Sequence, residues 1–181
     1  MDFWIEGKVR LYHEDYDTTT HIVNHLVKGS FPNAKSHNKD YHSTLLYIGG
    51  PHPTEEVVHV LRQSKVSHLY FLGINPSLMA GGEDYDQLLL KFESKDMVNT
   101  FKALYDNFTY AGIKPKHRLF GGGFTPHVTL AQFHSAEDCK AEIDTDNGLF
   151  VQQLLASGGD LVVGDFHLFG SDDVHDKVQI L

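Results

Sequence analysis

Residues 4–11 alternate, with Ile5, Val9 and Leu11 set against Glu6, Lys8 and Arg10; a period of two is the signature of a strand with one buried face. Asp17 and the threonines after it predict a helix cap ahead of Ile22, Val23, Leu26 and Val27, with a stop at Gly29. Residues 30–40 are polar and contain Pro32 and two Asn, which reads as a loop. Residues 42–48 form a β-type run closed by Gly49-Gly50-Pro51, and Thr54-Glu55-Glu56 opens a helix to about Gln63, its acids placed where the helix dipole favours them. Apolar strands are predicted over 68–74 and 85–92, separated by a loop containing Gly81-Gly82. Met97, Phe101, Leu104 and Phe108 carry helical spacing over 97–110, ended by Gly112. A basic, glycine-rich connection over 114–125 leads into a strand at 127–133. A helix over 149–156 and closing strands at 161–169 and 174–180 complete the chain.

Strands and helices interleave, but several consecutive strands lie too close together for βαβ crossovers, so an α+β fold is expected rather than a doubly wound parallel sheet. No stretch reads as a linker or a low-complexity segment, and residues 1–181 are expected to form a single two-lobed domain. Apolar residues make up 41% and charged residues 22%, the balance of an ordinary globular protein. Lys and Arg number 15 against 24 Asp and Glu, a formal charge of −9. That sign argues against a grip on long DNA or RNA, which works by neutralising phosphates, and leaves room for a short phosphate ester met by a local positive funnel. Cys139 is the only cysteine, so no intrachain disulfide is available, as suits a reducing compartment. The first residues lack a basic n-region and an apolar h-region, and nowhere do 18 apolar residues run together. A cytoplasmic location without membrane attachment is the expectation.

One pattern echoes along the chain. Tyr41-His42-Ser43-Thr44-Leu45-Leu46 and Pro126-His127-Val128-Thr129-Leu130-Ala131 each set a His and a Thr two apart on a predicted strand that a helix follows. The two histidines lie 85 residues apart, close to half the chain, which suggests two pseudo-repeated lobes. Residues two apart on a strand project from one face, so side-by-side strands would set two imidazoles and two hydroxyls around one pocket. Phosphodiester cleavage needs that set. One His takes a proton from the attacking water or ribose hydroxyl and the other protonates the departing oxygen, work that suits a group titrating near neutral pH. The Thr hydroxyls donate to the non-bridging oxygens, where charge gathers in the transition state. One His-x-Thr among 13 His is weak and more often marks a strand residue satisfied by hydrogen bonds. Two copies on apolar strands reverse that weighting.

The paired motifs resemble those of the 2H phosphoesterase superfamily, named for its two His-x-Thr/Ser motifs. Residues 41–49 are similar to the first motif with its trailing hydrophobics and glycine; residues 102–112, Arg118-Leu119-Phe120 and Thr125 to Leu130 are similar to the approach to the second. The resemblance covers the order of elements across most of the chain. It implies a catalytic quartet of His42, Thr44, His127 and Thr129, and a bilobal pseudo-twofold fold with antiparallel sheets lining a central groove and helices outside. Members act on 2′,3′-cyclic phosphates, 2′–5′-linked oligoadenylate, RNA 3′ ends or cyclic oligonucleotide signals, and some phage members destroy such signals to evade host defence. The long N-terminal strand with its loop and the Gly121-Gly122-Gly123 insert depart from the bacterial RNA-thioesterase-like branch, so the resemblance is to the superfamily and not to one branch.

Other residues carry less. Lys114, Lys116 and Arg118 are candidates to steer a phosphate, with a solvated basic loop as the plain alternative. Phe124, Tyr12 and Tyr41 are candidates to stack on a base, at roughly 1–3 kcal/mol each, although aromatics more often fill cores. The glycine run 121–123 reads as a mobile lid or, more simply, a turn requiring positive φ. His21 and His25 sit at i, i+4 on the first predicted helix, but Ile22 stands where a zinc protease has its Glu and no third ligand is evident. No metal and no cofactor are implied. The expected activity is a metal-independent phosphodiesterase acting on a small nucleotide or short oligonucleotide. The alternative is a nucleotide-binding module or sensor that uses the same groove without turnover.

Overall fold

A computed structural model describes residues 2–65, 70–116 and 123–171, and of 178–179 the strand alone. Strand β1 (Phe3–Leu11) has the buried–exposed alternation its sequence predicts. Helix α1 (Tyr16–Ser30) starts one residue before Asp17, because Asp15 is the cap: its Oδ1 accepts the Thr18 N–H at 2.6 Å. Gly29 does not stop it; the helix continues to Ser30, where the N–H of buried Phe31 closes on the Val27 carbonyl. The polar segment expected as a loop contains a short strand β2 (Ser36–His37) and leads into β3 (His42–Ile48) and α2 (Thr54–Gln63) as predicted.

Strand β4 (Tyr70–Gly81) is longer than the apolar run suggested and takes in residues 75–81 of the segment read as a loop. Pro76 is accommodated where the register with β5 (Gln87–Glu93) slips between Ile74 and Ser77, a bulge where a missing N–H breaks no ladder bond. Helix α3 (Lys95–Tyr110) follows, then β6 (His127–Gln132), α4 (Ala136–Asp146), α5 (Leu149–Gly158), β7 (Leu161–Gly170) and β8 (Val178–Gln179). The sequence pattern missed α4 because it is only weakly amphipathic: Cys139 is its one buried residue. Burial pushes the Cys139 thiol up to about 11, so it behaves as a small core hydrophobe.

The strands run β2-β6-β5-β4-β7-β1-β3, with β8 beside β7, and every pairing is antiparallel. The α+β expectation is met. β4 belongs to two half-sheets: Tyr70 to Gly73 pair with β7, while Ile74 to Gly81 pair with β5. One half is β3-β1-β7 and the other β5-β6-β2, so the two His-x-Thr strands fall in different halves. The apolar core joins them, with Phe31 edge-on to Phe133 at 6.5 Å and tilted against Phe150 at 5.7 Å. Among the described residues no helix is long and apolar enough to cross a membrane.

Candidate active site

Residues 36–42 explain why two distant motifs come together. Ser36 and His37 pair with Gln132 and Ala131 of β6. The Asn38 amide side chain then donates to the Thr129 carbonyl at 2.9 Å, and its N–H donates to the Leu130 carbonyl at 2.9 Å. Five residues after His37 the chain has crossed to β1, where His42 pairs with Lys8 and Thr44 with Glu6. The segment is pinned by Tyr41, whose hydroxyl donates to Asn24 Oδ1 at 2.7 Å and to the Asn38 carbonyl at 3.1 Å. β3 therefore starts beside β6, and the two strands pack against each other.

On β3, Ser43 and Leu45 are buried while His42 is exposed and Thr44 half-buried; on β6, Val128 and Leu130 are buried while His127 and Thr129 are half-buried. Each His thus shares a face with its Thr. His127 Nδ1 donates to the Thr125 carbonyl at 2.9 Å. Burial lowers its pKa, the Thr125 bond partly opposes that, and the charge of His42 lowers it further. The two imidazoles are thus within electrostatic reach of each other. His42 Nε2 stands 3.3 Å from Glu6 Oε2.

Beside His42 a cleft of about 540 Å³ is lined by Glu6, Lys8, Tyr16, Tyr41, His42 and His167, among others. His127 and the two threonines lie outside its lining, so it extends the site on the His42 side. Lys8 Nζ is 3.4 Å from Asp165 Oδ2. Asp165 has φ of +53° and sits where the β1–β7 register shifts between Glu6 and Lys8. His167, next to Glu6 in register, donates through Nδ1 to the Asp165 carbonyl at 3.0 Å, the same i−2 arrangement as His127.

The subsidiary candidates fare unevenly. Tyr41 lines the cleft but is 5% exposed; burial holds its hydroxyl up at about 12, and its visible role is to hold the crossover. Phe124 stacks on Phe101 at 4.4 Å against the core. Tyr12 is exposed, sits edge-on to His13 just beyond β1, and is not among the cleft residues. Lys116 donates its N–H to the Tyr47 carbonyl at the far end of β3 from His42, and its Nζ is 3.5 Å from Asp2. Arg118 and Gly121–Gly122 lie outside the described residues. Glu6, Lys8 and His167 were missed, although the polar face of β1 was plain; what the sequence lacks is that β1 is the strand between β3 and β7. Among the described residues no three His, Cys, Asp or Glu gather as a metal-ligand set.

The chain is similar in structure to Usb1 of Kluyveromyces marxianus, with a TM-score of 0.63 over 99% of this chain and 97% of that one at 10% identity. The two chains share a fold. Usb1 from the same organism with uridine monophosphate gives a TM-score of 0.55 over 97% of each chain at 10% identity. A crystal structure of a phosphoesterase gives 0.53 over 98% of this chain and 92% of that one at 12% identity. Neither a protein-family model nor the sequence of a curated protein matches the chain.

Proposed function

We propose that this chain is a phosphodiesterase that cleaves a nucleotide phosphodiester by two-histidine acid–base catalysis, without a metal ion. The observation that carries the reading is that β3 starts beside β6 and packs against it, so that the strands headed by His42 and His127 meet from different half-sheets, each His sharing a strand face with a threonine. In the neutral ring of His127 the Nδ1 proton is committed to Thr125, so Nε2 is the atom that accepts a proton. His127 takes the proton of the attacking hydroxyl and His42 gives one to the leaving oxygen. Thr44 and Thr129 donate to the non-bridging oxygens. The substrate is a small one, a 2′,3′-cyclic phosphate or a 2′–5′-linked or cyclic oligonucleotide, including signal nucleotides of the kind phage enzymes destroy. The fold likeness to a structure holding uridine monophosphate supports a nucleotide ligand, and the charge of −9 supports a short one.

The test is a panel of 2′,3′-cyclic nucleotides, 2′–5′ oligoadenylate, cyclic dinucleotides and RNAs of defined ends, with product analysis. Turnover of at least one in excess EDTA is expected, reduced roughly 10²–10⁴-fold in His42→Ala and in His127→Ala. Binding by wild-type protein with no turnover of any substrate would make the chain a sensor, and activity abolished by EDTA and restored by a divalent ion would make it a metallohydrolase.

A further inference from the structure

Glu6 belongs to neither motif, yet its carboxylate is the one in contact with a motif histidine among the described residues. Oε2 lies 3.3 Å from His42 Nε2 and also accepts the Trp4 Nε1–H at 3.1 Å. Trp4 is fixed in turn. β1 runs between β3 and β7, and the ring of Trp4 stacks on Tyr47 of the one (6.1 Å, 10°) and Phe169 of the other (5.7 Å, 9°). The row of three rings holds the indole, the indole holds the carboxylate, and the carboxylate meets the imidazole. The side chain of Glu6 is 18% exposed against 44% for His42, so the anchor is the drier and better-held partner, as an orienting group should be.

We propose that Glu6 is a positioning residue that holds His42 as the proton donor to the leaving oxygen; this rests on the two-histidine reading above. The attacking oxygen bonds to phosphorus as His127 Nε2 takes its proton. The bond from phosphorus to the leaving oxygen breaks with its electron pair, and the Nε2 proton of His42 passes to that oxygen. Glu6 remains an anion throughout, and water returns the proton from His127 to His42. A leaving oxygen that arrives within hydrogen-bond reach of Nε2 replaces Glu6 Oε2 as the acceptor of its proton.

Other titratable groups face His42, and none has the same access. On β1, Lys8 is engaged by Asp165; on β7, His167 points Nδ1 at the Asp165 carbonyl. Tyr41 donates to Asn24, while Asp40, and Tyr16 and Asp17 of α1, line the cleft without a contact to the ring. On β6 stands His127 itself. Glu6 is the group that can fix the direction of Nε2.

Leaving-group dependence tests this. A nucleoside 3′-phosphodiester with a ribose leaving group needs a proton on the departing oxygen; its 4-nitrophenyl counterpart, with the same attacking 2′-hydroxyl, departs without one. Glu6→Gln is expected to lose about tenfold in kcat on the ribose ester at unchanged KM, and less than about twofold on the 4-nitrophenyl ester. Trp4→Phe, which keeps a ring in the stack but removes the N–H, shifts the same ratio in the same direction to a smaller extent, and serves if Glu6→Gln fails to fold. Equal losses on both esters, or no loss on either, overturn the role of Glu6. Full activity of His42→Ala and His127→Ala on both esters overturns instead the two-histidine reading.

Discussion

The ring of His127 is tied to its own strand: Nδ1 donates at 2.9 Å to the carbonyl of Thr125, two residues earlier. The bond fixes both the tautomer of the neutral ring and the ring direction. His167 repeats the arrangement with Asp165 at 3.0 Å. His127 also feels the charge of His42 and stands two residues before a threonine on the same face.

The pH dependence follows from that environment. Burial, first among the causes, and then the charge of His42 outweigh the Thr125 bond and hold the pKa of His127 below 6.5. The base is active when unprotonated, so the acid limb of kcat/KM should fall below pH 6.5, and His127→Ala should leave residual activity without that limb. The stability consequence has the same sign. Between the lowered folded value and the unfolded value of about 6.5 the unfolded chain binds more protons, so acidification through that window destabilises the fold. Thermal melts should show Tm falling from about pH 6.5 downward, with a shallower slope in His127→Gln. A limb centred above 6.5 would contradict the assignment of His127 as base.

The shared face of each His and its Thr was legible in the sequence because the signal is local: a His and a Thr two apart on an apolar strand share a face whatever the strand pairs with. The strands at 42–48 and the helix from Thr54 were legible for the same reason, since glycines, a proline and acidic first-turn residues mark their ends. Glu6 was hidden because a polar residue on an alternating strand looks like a solvent-facing one until its neighbours are known, and those neighbours, β3 and β7, lie far away in sequence. The continuation of β4 through Pro76 was hidden because a bulge is a property of the pair and not of one strand. α4 escaped because its single buried residue gives no periodicity.

The threonine hydroxyls have a distinguishable signature. Thr44 and Thr129 sit on the histidine faces of their strands, where a donor to a non-bridging oxygen gains strength as charge develops. Thr44→Val and Thr129→Val, which keep shape and remove the hydroxyl, should each lower kcat by roughly 10²-fold with little change in KM. Thr→Ser at either position should restore most of the loss. Steady-state kinetics on the best substrate of the panel decides it; a rise in KM alone would mean that the hydroxyls only bind.

Ser43 stands between His42 and Thr44 but points the other way. It is 0% exposed, and its hydroxyl finds no hydrogen-bond partner among the described residues. A buried hydroxyl without a partner carries a desolvation cost of about 1–3 kcal/mol. Ser43→Ala removes that cost at the loss of one small atom, so the variant should be as stable as the wild type or more stable by about 1 kcal/mol in denaturant titration. Its kcat should be unchanged, which separates the structural hydroxyl of the motif from the chemical one.

The charge of the cleft sets a limit on substrate length. Glu6, Asp17, Asp40 and Asp165 all line it, against Lys8, which Asp165 already engages, and two imidazoles. One phosphate at the histidines is met by protons and hydroxyls, but a second phosphate placed in this cleft faces carboxylates. Added phosphates on that side should therefore raise KM, and the penalty should shrink as salt screens it, the Debye length being about 30 Å at 0.01 M and about 8 Å at 0.15 M. The usual salt weakening of nucleic-acid binding would then be reversed. Measuring KM for a mononucleotide cyclic phosphate and for a trinucleotide across that range of ionic strength, in wild type and Asp17→Asn, checks the argument. The trinucleotide KM should fall with salt and fall again in Asp17→Asn while the mononucleotide value barely moves; a trinucleotide KM that climbs with salt would show the chain running over a basic surface instead of through this cleft.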